Sequence, residues 1–430
     1  MSDKKITAGF GRSQIVFPKE LFPIEGFQGV HDLPCARIMA LKSGREEVAI
    51  CDLEMVNVPA KGIELCKKII TEHTAIPEAH IWVHVTHAIT TMHEPGPMGP
   101  PDKRPPETEE DIRKRKLFYD ALENAVTEAA RQTAEDFSEA RIGWGDGECD
   151  ANKNRDVETP FGWWTGSDSK GPSNKKMTVL RVEKPDGTPK GFFISYGIKP
   201  CAIDNAGMKN GTRLVSSDVC GVCCHLMEEK YGVPALFGVS AAADQVPKET
   251  AWMEEVDEEG KVFVRDDGVE QGLIYVEKYG TEMGKCAIAI ADSISCTETS
   301  AVMKCGKVSF QWPTRNNRGK KGPSKPQEWP DSGMCKVEAE LFALGNTVFV
   351  AEKPEINCQT EKELIEKSAY ERTILLCMVN GGMKYMPDKL GFERNSFEAQ
   401  RSSLQPGAAE KFVEVVAEGS RNLQTDDSAN

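Results

Sequence analysis

The segment between residues 35 and 85 constrains the fold more than any other part of the chain. Two apolar runs within 36–56 predict the strands of a hairpin, because a short polar turn separates them. Residues 59–74 then carry apolar side chains at helical spacing, and residues 81–85 return to a strand pattern. A helix that returns the chain to a further strand is typical of an α/β sheet. We therefore predict an α/β fold with a central mixed β-sheet flanked by helices.

The rest of the chain continues this alternation. The patterns predict a long helix at 109–137, strands at 178–182, 191–196 and 235–239, and a helix at 219–230. Segments rich in Pro, Gly or charge predict irregular or exposed stretches at 98–107, 150–176, 254–271 and 313–333. Because no internal repeat or obvious linker interrupts the pattern, we expect one large catalytic domain over residues 1–420 and a flexible tail over residues 421–430.

Composition argues against several classes of partner. The formal net charge of −14 disfavours nucleic acid and anionic lipid, since both recruit clustered Lys and Arg. The N-terminal residues lack an export pattern, and no run of about 18 apolar residues predicts a membrane span. We expect a cytoplasmic protein with a small-molecule substrate and no nucleic-acid or membrane partner. The oligomeric state, including a homo-oligomer, stays open.

The fourteen cysteines are expected to be reduced thiols, because no export pattern accompanies them. The tight cluster at 220–225 lacks the second Cys pair of a zinc finger, and Cys224 stands where a haem-attachment motif needs histidine. Its apolar spacing is helical. We interpret the cluster as a core-facing helix.

The stretch from residue 81 to residue 97 holds three of the seven histidines. His84 alternates with apolar residues and belongs to the strand, where we interpret it as a satisfied structural histidine. His87 and His93 follow the strand, at the start of a Pro/Gly-rich loop. Imidazoles on a loop that a rigid strand holds in place suit catalysis or metal binding. This loop is the first candidate for an active site.

Short motifs along nearly the whole chain point to a family. In order they are residues 8–12 (AGFGR), 29–32 (GVHD) with 36–37 (AR), 86–87 (TH), 154–155 (NR), 214–218 (LVSSD) with Gly221, 241–244 (AAAD) with Pro247, 350–355 (VAEKPE), Asn380, 385–387 (YMP) and 397–398 (FE). In this order they resemble the N-terminal catalytic domain of the neutral (alkaline, non-lysosomal) ceramidase family.

The resemblance implies a zinc amidohydrolase. In that family two histidines, a glutamate and a tyrosine hold the metal, and metal-bound water attacks an amide. By register with the family motifs, His87 takes the place of the first zinc histidine and Glu355 the place of the glutamate. We expect this chain to lack the family's separate C-terminal β-sandwich.

The chain departs from the family pattern at four positions. Ile89 stands in place of the second histidine of the loop, although His93 is four residues away. Lys199 stands in place of the other zinc histidine, and Gly382 in place of the tyrosine. Val246 replaces a serine. Lysine is a rare zinc ligand, so the metal site of the family is altered in this chain.

Two enzymatic hypotheses follow. In the first, His87, His93 and Glu355 bind zinc, whose bound water attacks an amide or related carbonyl bond of a small soluble metabolite. Asp244, Lys199 or His93 then acts as general acid or base and donates or accepts the protons of the reaction. In the second, no metal is needed and a buried Lys199 has a lowered pKa, which allows it to act as a base or to form an imine. With His87 and His93 it would serve an isomerase, epimerase or lyase on a polyhydroxy ketone or keto acid.

A third hypothesis is a ligand-binding protein that kept the fold and lost catalysis. The predicted substrate-binding residues are Arg12, Arg37, Asn154, Arg155, Ser217, Asp218 and Tyr385. The arginines could clamp an anionic substrate or pair within the fold, and both readings stay open. Asp218 and Asp244 could equally cap turns.

Overall fold

The computed structural model describes residues 5–97, 103–316, 322–325 and 328–425. Its strands are β1 (Ile6–Gln14), β2 (Phe27–Val30), β3 (Cys35–Ser43), β4 (Glu46–Leu53), β5 (Ile81–Val85), β6 (Ser138–Glu139), β7 (Arg141–Glu148), β8 (Asn152–Thr159), β9 (Gly162–Asp168), β10 (Lys176–Glu183), β11 (Pro189–Tyr196), β12 (Arg213–Val215), β13 (Ala235–Val239), β14 (Gln245–Pro247), β15 (Trp252–Val256), β16 (Val262–Asp266), β17 (Met303–Arg315), β18 (Asp331–Leu344), β19 (Thr347–Glu352), β20 (Glu355–Ile356), β21 (Arg372–Leu376) and β22 (Tyr385–Met386). Its α-helices are α1 (Ala60–Thr74), α2 (Glu109–Asp136), α3 (Asp218–Tyr231), α4 (Val269–Ser293), α5 (Cys358–Lys367), α6 (Lys389–Arg394), α7 (Phe397–Arg401) and α8 (Ala408–Thr425).

Three mixed sheets form the centre of the molecule. Their strand orders are β5-β4-β3-β1-β6, β13-β11-β10-β7 and β17-β18-β19-β21. Each combines antiparallel hairpins with one parallel pair, namely β4–β5, β11–β13 and β19–β21. Buried side chains from all three sheets, such as Phe10, Phe193 and Phe349, meet in one core. The predicted α/β class is confirmed, including the hairpin–helix–strand order at its start.

Helices cover the outer faces of the sheets. A capping box between Thr108 and Asp111 starts α2, which buries an apolar stripe on the first sheet. Gly11 allows the helix to lie close to β1, because a Cβ at this position would stand only 2.0 Å from the Ala129 carbonyl oxygen. On the second sheet, α3 buries Cys220, Cys223 and Cys224, as the sequence predicted for a core helix. No described helix is both long and apolar enough to cross a membrane.

Several predicted loops contain regular structure. The hairpin β8–β9 occupies most of 150–176, where Trp164 packs on Phe397 with 5.4 Å between ring centroids. A second hairpin, β15–β16, overlaps most of the predicted exposed stretch at 254–271, and α4 begins there. The ends of β17 and β18 enter 313–333. Part of that segment, and part of the predicted loop at 98–107, lies outside the described residues.

The C-terminal tail was predicted to begin at residue 421, and this boundary is wrong. Residues 421–425 continue α8, whose apolar face packs on the long β17–β18 hairpin and includes the buried side chains of Phe412 and Val416. Residues 426–430 lie outside the described residues.

A buried ion network joins the first sheet to α3. The guanidinium of Arg37, on β3, donates from Nε to Glu228 Oε1 at 2.7 Å and also pairs with Glu54. Arg12, on the adjacent β1, donates to Glu228 Oε2 at 2.6 Å. Glu54 in turn accepts the backbone N–H of Cys35 at 2.7 Å. Arg12 and Arg37, which were predicted to bind substrate, therefore belong to an ion network within the fold, and neither lines the cavity described below.

Replacing Arg37 by methionine should destabilise the fold. The substitution leaves Glu54 and Glu228 buried without their main counter-charge, which costs about 3–5 kcal/mol of unfolding free energy. Urea denaturation with an unchanged m-value would measure the loss. Arg131→Met, on the exposed face of α2, is the matched control and should leave the midpoint unchanged. An unchanged midpoint for Arg37→Met would contradict the structural role.

Candidate functional site

A cavity of about 270 Å³ lies where several strands end. His87 follows β5 and Lys199 follows β11, so both side chains come from loops that directly leave a sheet. The wall includes eight side chains that can carry charge or exchange protons: His87, Arg155, Lys199, Cys201, Asp204, Glu254, Tyr385 and Arg401. Function concentrates at such loop positions, because the sheets hold them rigidly.

The backbone fixes the imidazole of His87 in one orientation. His87 adopts a left-handed conformation with φ of 60°, and its Nδ1 lies 2.6 Å from the carbonyl oxygen of Val56. A carbonyl can only accept, so Nδ1 carries the proton and Nε2 of the neutral ring keeps its lone pair. Burial lowers the pKa of His87, and the positive charge of Lys199 lowers it further against the opposing effect of Glu355. The ring is thus neutral at pH 7 and can accept a proton at Nε2.

Lys199 forms the centre of the polar cluster. Its backbone N–H donates to the Gln245 carbonyl, and its Nζ lies 2.5 Å from Glu355 Oε2 and 3.1 Å from the Tyr385 hydroxyl. Burial alone would lower the pKa of Lys199, but the charge of Glu355 and the neighbouring Tyr385 outweigh it and raise the pKa to about 12. The amine is therefore an ammonium ion at neutral pH. The predicted lowered pKa of Lys199 is wrong.

A two-residue parallel strand pair brings Glu355 and Tyr385 together. In the β20–β22 pair Glu355 lies directly opposite Tyr385. Glu355 Oε1 lies 3.5 Å from His87 Nε2, so this buried carboxylate contacts both His87 and Lys199. Burial opposes its charge, yet the ammonium of Lys199 holds the pKa of Glu355 below its ordinary value, with smaller contributions from His87 and Arg155. Glu355 stays ionised behind the cavity wall.

Arg155, on β8, supports the opposite side of Tyr385. Its Nε donates to Glu398 at 2.8 Å, and its Nη2 lies 3.4 Å from the Tyr385 hydroxyl. The guanidinium also lies over the Phe397 ring, 4.7 Å from its centroid. Arg155 therefore has the predicted location at the cavity, although a carboxylate of the protein neutralises its charge.

The sequence patterns did not single out Asp204 or Arg401, which also line the cavity. Asp204 follows Lys199 in the loop after β11, with φ of 52°. Burial raises the pKa of Asp204 to about 7, against the lowering effect of Lys199 and Arg155. Residues 197–203 are largely apolar, so the sequence offered no local signal for Asp204. Arg401 lies at the end of α7, four residues after the Phe397 of the last family motif.

The comparisons with known proteins concern the fold. No protein-family model matches the sequence, and no curated protein matches it. Two solved structures match 98% of the chain at 11% identity: neutral ceramidase from Pseudomonas aeruginosa, with a TM-score of 0.69 over 75% of that chain, and a ceramidase complexed with C2, with a TM-score of 0.70 over 76% of that chain.

The chain shares the neutral ceramidase fold. The order of short motifs therefore indicated the correct architecture, although single motifs are weak and the overall identity is low. Fold similarity does not extend to chemistry, because function depends on the individual site residues.

A zinc ion does not fit the cavity as it is built. The ammonium of Lys199 lies within hydrogen-bonding distance of both Glu355 and Tyr385, so a fixed positive charge already lies between these two oxygen donors. A second cation there would meet strong repulsion. Among the described residues, no three His, Cys, Asp or Glu donors gather within 4.8 Å of one another at this cavity. His87 and Glu355 alone fall short of the three protein ligands of a catalytic zinc.

His93 does not join the predicted metal set. Its side chain is 41% exposed, its Nδ1 pairs with Glu25 Oε2 at 2.9 Å, and it does not line the cavity. The structure thus keeps two of the three predicted ligands, His87 and Glu355, in contact and places the third elsewhere. His84 is buried with its Nδ1 2.8 Å from Asp52, as predicted for a structural histidine, but its Nε2 has no hydrogen-bond partner among the described residues.

Four further predicted residues lie behind the cavity wall. Asp244 accepts from the Cys358 backbone N–H at 3.0 Å and from Asn154 Nδ2 at 3.0 Å. Ser217 pairs with Asp32, and Asp218 accepts the backbone N–H groups of the 202–203 turn. None of Asn154, Ser217, Asp218 and Asp244 lines the cavity. The hydrogen bonds of these four residues hold the backbone around the cavity, and their predicted binding and catalytic roles stay predictions.

Asp204→Asn should change how stability depends on pH. The folded-state pKa of Asp204, about 7, lies above the unfolded value of about 3.9, so the folded protein binds more protons between these pH values. The favourable contribution is complete below pH 4 and is lost as pH rises through 7, on the order of a few kcal/mol.

The difference in Tm between Asp204→Asn and the wild type should therefore rise from pH 5 to pH 8, as differential scanning fluorimetry can measure. Asp120→Asn, on the surface of α2, is the control and should show a flat difference. A flat difference for Asp204→Asn as well would contradict the raised pKa.

Proposed function

We propose that the cavity catalyses metal-independent hydrolysis of an amide or related carbonyl bond in a small soluble metabolite. The observation that carries the proposal is the buried cluster of His87, Glu355 and Lys199, with its contacts of 3.5 and 2.5 Å. It combines a neutral base with a fixed cation beside one cavity. Those are the two elements that water attack on a carbonyl requires.

His87 serves as the general base. Its Nε2 lone pair takes a proton from water while the water oxygen attacks the carbonyl carbon. The charge on Glu355 then stabilises the imidazolium that forms, since the carboxylate lies next to Nε2. The Val56 carbonyl holds the ring in place during the transfer.

Lys199 serves as the electrophilic partner. Its ammonium, together with the Tyr385 hydroxyl, can donate hydrogen bonds to the oxygen on which negative charge develops. When the carbon–nitrogen bond breaks, the leaving amine takes the proton held by His87. Asp204, with a pKa of about 7, is a second proton donor in the same cavity.

The size and charge of the cavity favour a small substrate with an anionic group. A volume of about 270 Å³ is small for a ligand site. Lys199, Arg155 and Arg401 line this volume together with Asp204 and Glu254. Glu355 pairs with Lys199 and Glu398 pairs with Arg155. We assign the carboxylate of the substrate to the guanidinium of Arg401, since guanidinium groups pair well with carboxylates. N-acyl amino acids, lactams and lactones with a carboxylate match this description.

A second candidate is proton transfer next to a carbonyl group, in an isomerase, epimerase or lyase. It is favoured by the same neutral base beside a cation, because that pair also stabilises an enolate. A route through an imine is disfavoured, since the ammonium of Lys199 has no free electron pair.

Isotope incorporation from solvent distinguishes these reactions. We would incubate the protein with a panel of carboxylated N-acyl compounds, lactams, lactones, keto acids and polyhydroxy ketones, in H₂¹⁸O and separately in D₂O. Hydrolysis should place ¹⁸O in a product carboxylate, whereas enolisation should place deuterium on carbon, and mass spectrometry detects both. Neither label, with saturable binding of a panel member, would overturn both proposals in favour of a ligand-binding protein.

Single substitutions test the assigned roles. His87→Gln should lower kcat by about 10²–10⁴, the usual contribution of a general base. Lys199→Met should lower kcat to a similar extent. His93→Gln, outside the cavity, is the matched control and should retain wild-type kcat. Chelation with EDTA should leave the turnover of the folded protein unchanged, and activity lost to EDTA without a change in Tm and restored by zinc would overturn the metal-independent mechanism.

A further inference from the structure

Three side chains that play no part in the cavity meet at a junction between two sheets. Glu46 begins β4 of the first sheet, His80 lies in the short 3₁₀ turn before β5, and Cys305 lies near the start of β17 in the third sheet. We infer that Glu46, His80 and Cys305 form a binding site for a zinc ion, separate from the catalytic cavity.

The donor atoms of these residues already converge. One ligand atom from each of the three residues lies within 4.8 Å of the others. In a tetrahedral zinc site, metal–ligand distances of about 2.0–2.3 Å place the donors about 3.3–3.8 Å apart. Small side-chain adjustments close that gap, since all three side chains are only partly buried. Among the described residues, this is the one such cluster of His, Cys, Asp and Glu.

A buried ring nitrogen provides a second, independent observation. His80 Nδ1 is shielded from solvent and has no hydrogen-bond partner in the described part of the chain. Polar atoms buried without a partner are uncommon because each forfeits its hydration. A metal ion in contact with this nitrogen would satisfy it.

The donor set suits zinc in both chemistry and charge. Imidazole nitrogen, thiolate sulfur and carboxylate oxygen are the three donor types that zinc accepts. A thiolate and a carboxylate bring two negative charges, which balance the charge of Zn²⁺. Three protein ligands leave a fourth position for water, and the partial exposure of the cluster leaves solvent access to it.

The ion would act as a cross-link between separate parts of the fold. Cys305 is 225 positions or more from the other two ligands in the numbering of the chain. A metal that binds only the folded protein stabilises it by mass action. Added zinc should therefore raise the Tm, and the rise should depend on zinc concentration.

Titration of the purified, metal-free full chain tests the site, with zinc and cobalt as the probes and no affinity tag. We expect one ion per chain, with release of the Cys305 proton on binding. Cobalt should give a thiolate-to-metal charge-transfer band in the near ultraviolet. Cys305→Ser should abolish that band, and His80→Gln should weaken zinc binding by more than about tenfold.

Two matched controls test whether zinc binding depends on the proposed ligands and not on any cysteine or histidine. Cys335→Ser, at another partly buried cysteine, and His225→Gln, at an exposed histidine, should leave both the stoichiometry and the band unchanged. Stoichiometric zinc that persists in Cys305→Ser and His80→Gln would overturn the site. Zinc lost only in His87→Ala would overturn it as well and move the ion to the cavity. The absence of saturable binding to the wild type would also overturn it.

Discussion

The ion pair between Lys199 and Glu355 is the contact on which the cavity depends. Removing an ammonium and a carboxylate from water costs several kcal/mol for each ion, and a buried pair persists only when geometry and further hydrogen bonds offset that cost. Here a separation of 2.5 Å and the neighbouring Tyr385 and His87 provide that compensation. The pair also places a permanent charge at a fixed point, ready before any substrate arrives.

The shared fold is evidence about the architecture of the chain, whereas the altered site residues are evidence about its chemistry. At 11% identity, the architecture of neutral ceramidase is retained over 98% of this chain. At the position where the family resemblance implied a metal-binding histidine, Lys199 brings its own positive charge. A covalently attached cation needs no supply from solution, but it can neither exchange nor activate a bound water as a metal does. The likeness in shape therefore says little about the reaction mechanism.

Local patterns predicted local features well. Helical and strand periodicity located α1, β5 and α3, and the loop after β5 led directly to His87. Long-range contacts decided the rest. Nothing in the neighbouring sequence reveals that Arg37 pairs with a glutamate 191 positions away. The sequence alone could not distinguish an arginine in an ion pair of the fold from an arginine that binds substrate. His93 is near His87 in sequence, yet Glu25 holds it outside the cavity. Asp204 and Arg401 could be recognised only once the sheets had brought their loops together.

The two-residue ladder between β20 and β22 makes the cavity a late product of folding. It joins Glu355 to Tyr385, and their partners His87 and Lys199 come from much earlier in the chain. Contacts across such long sequence separations form only after the intervening chain has been ordered. A nascent chain that ends before Tyr385 thus carries Lys199 and His87 without the groups that set their charge states. Such a chain lacks the strand pair that aligns Glu355 with Lys199 and His87, so the cavity is complete only in a chain that extends through Tyr385.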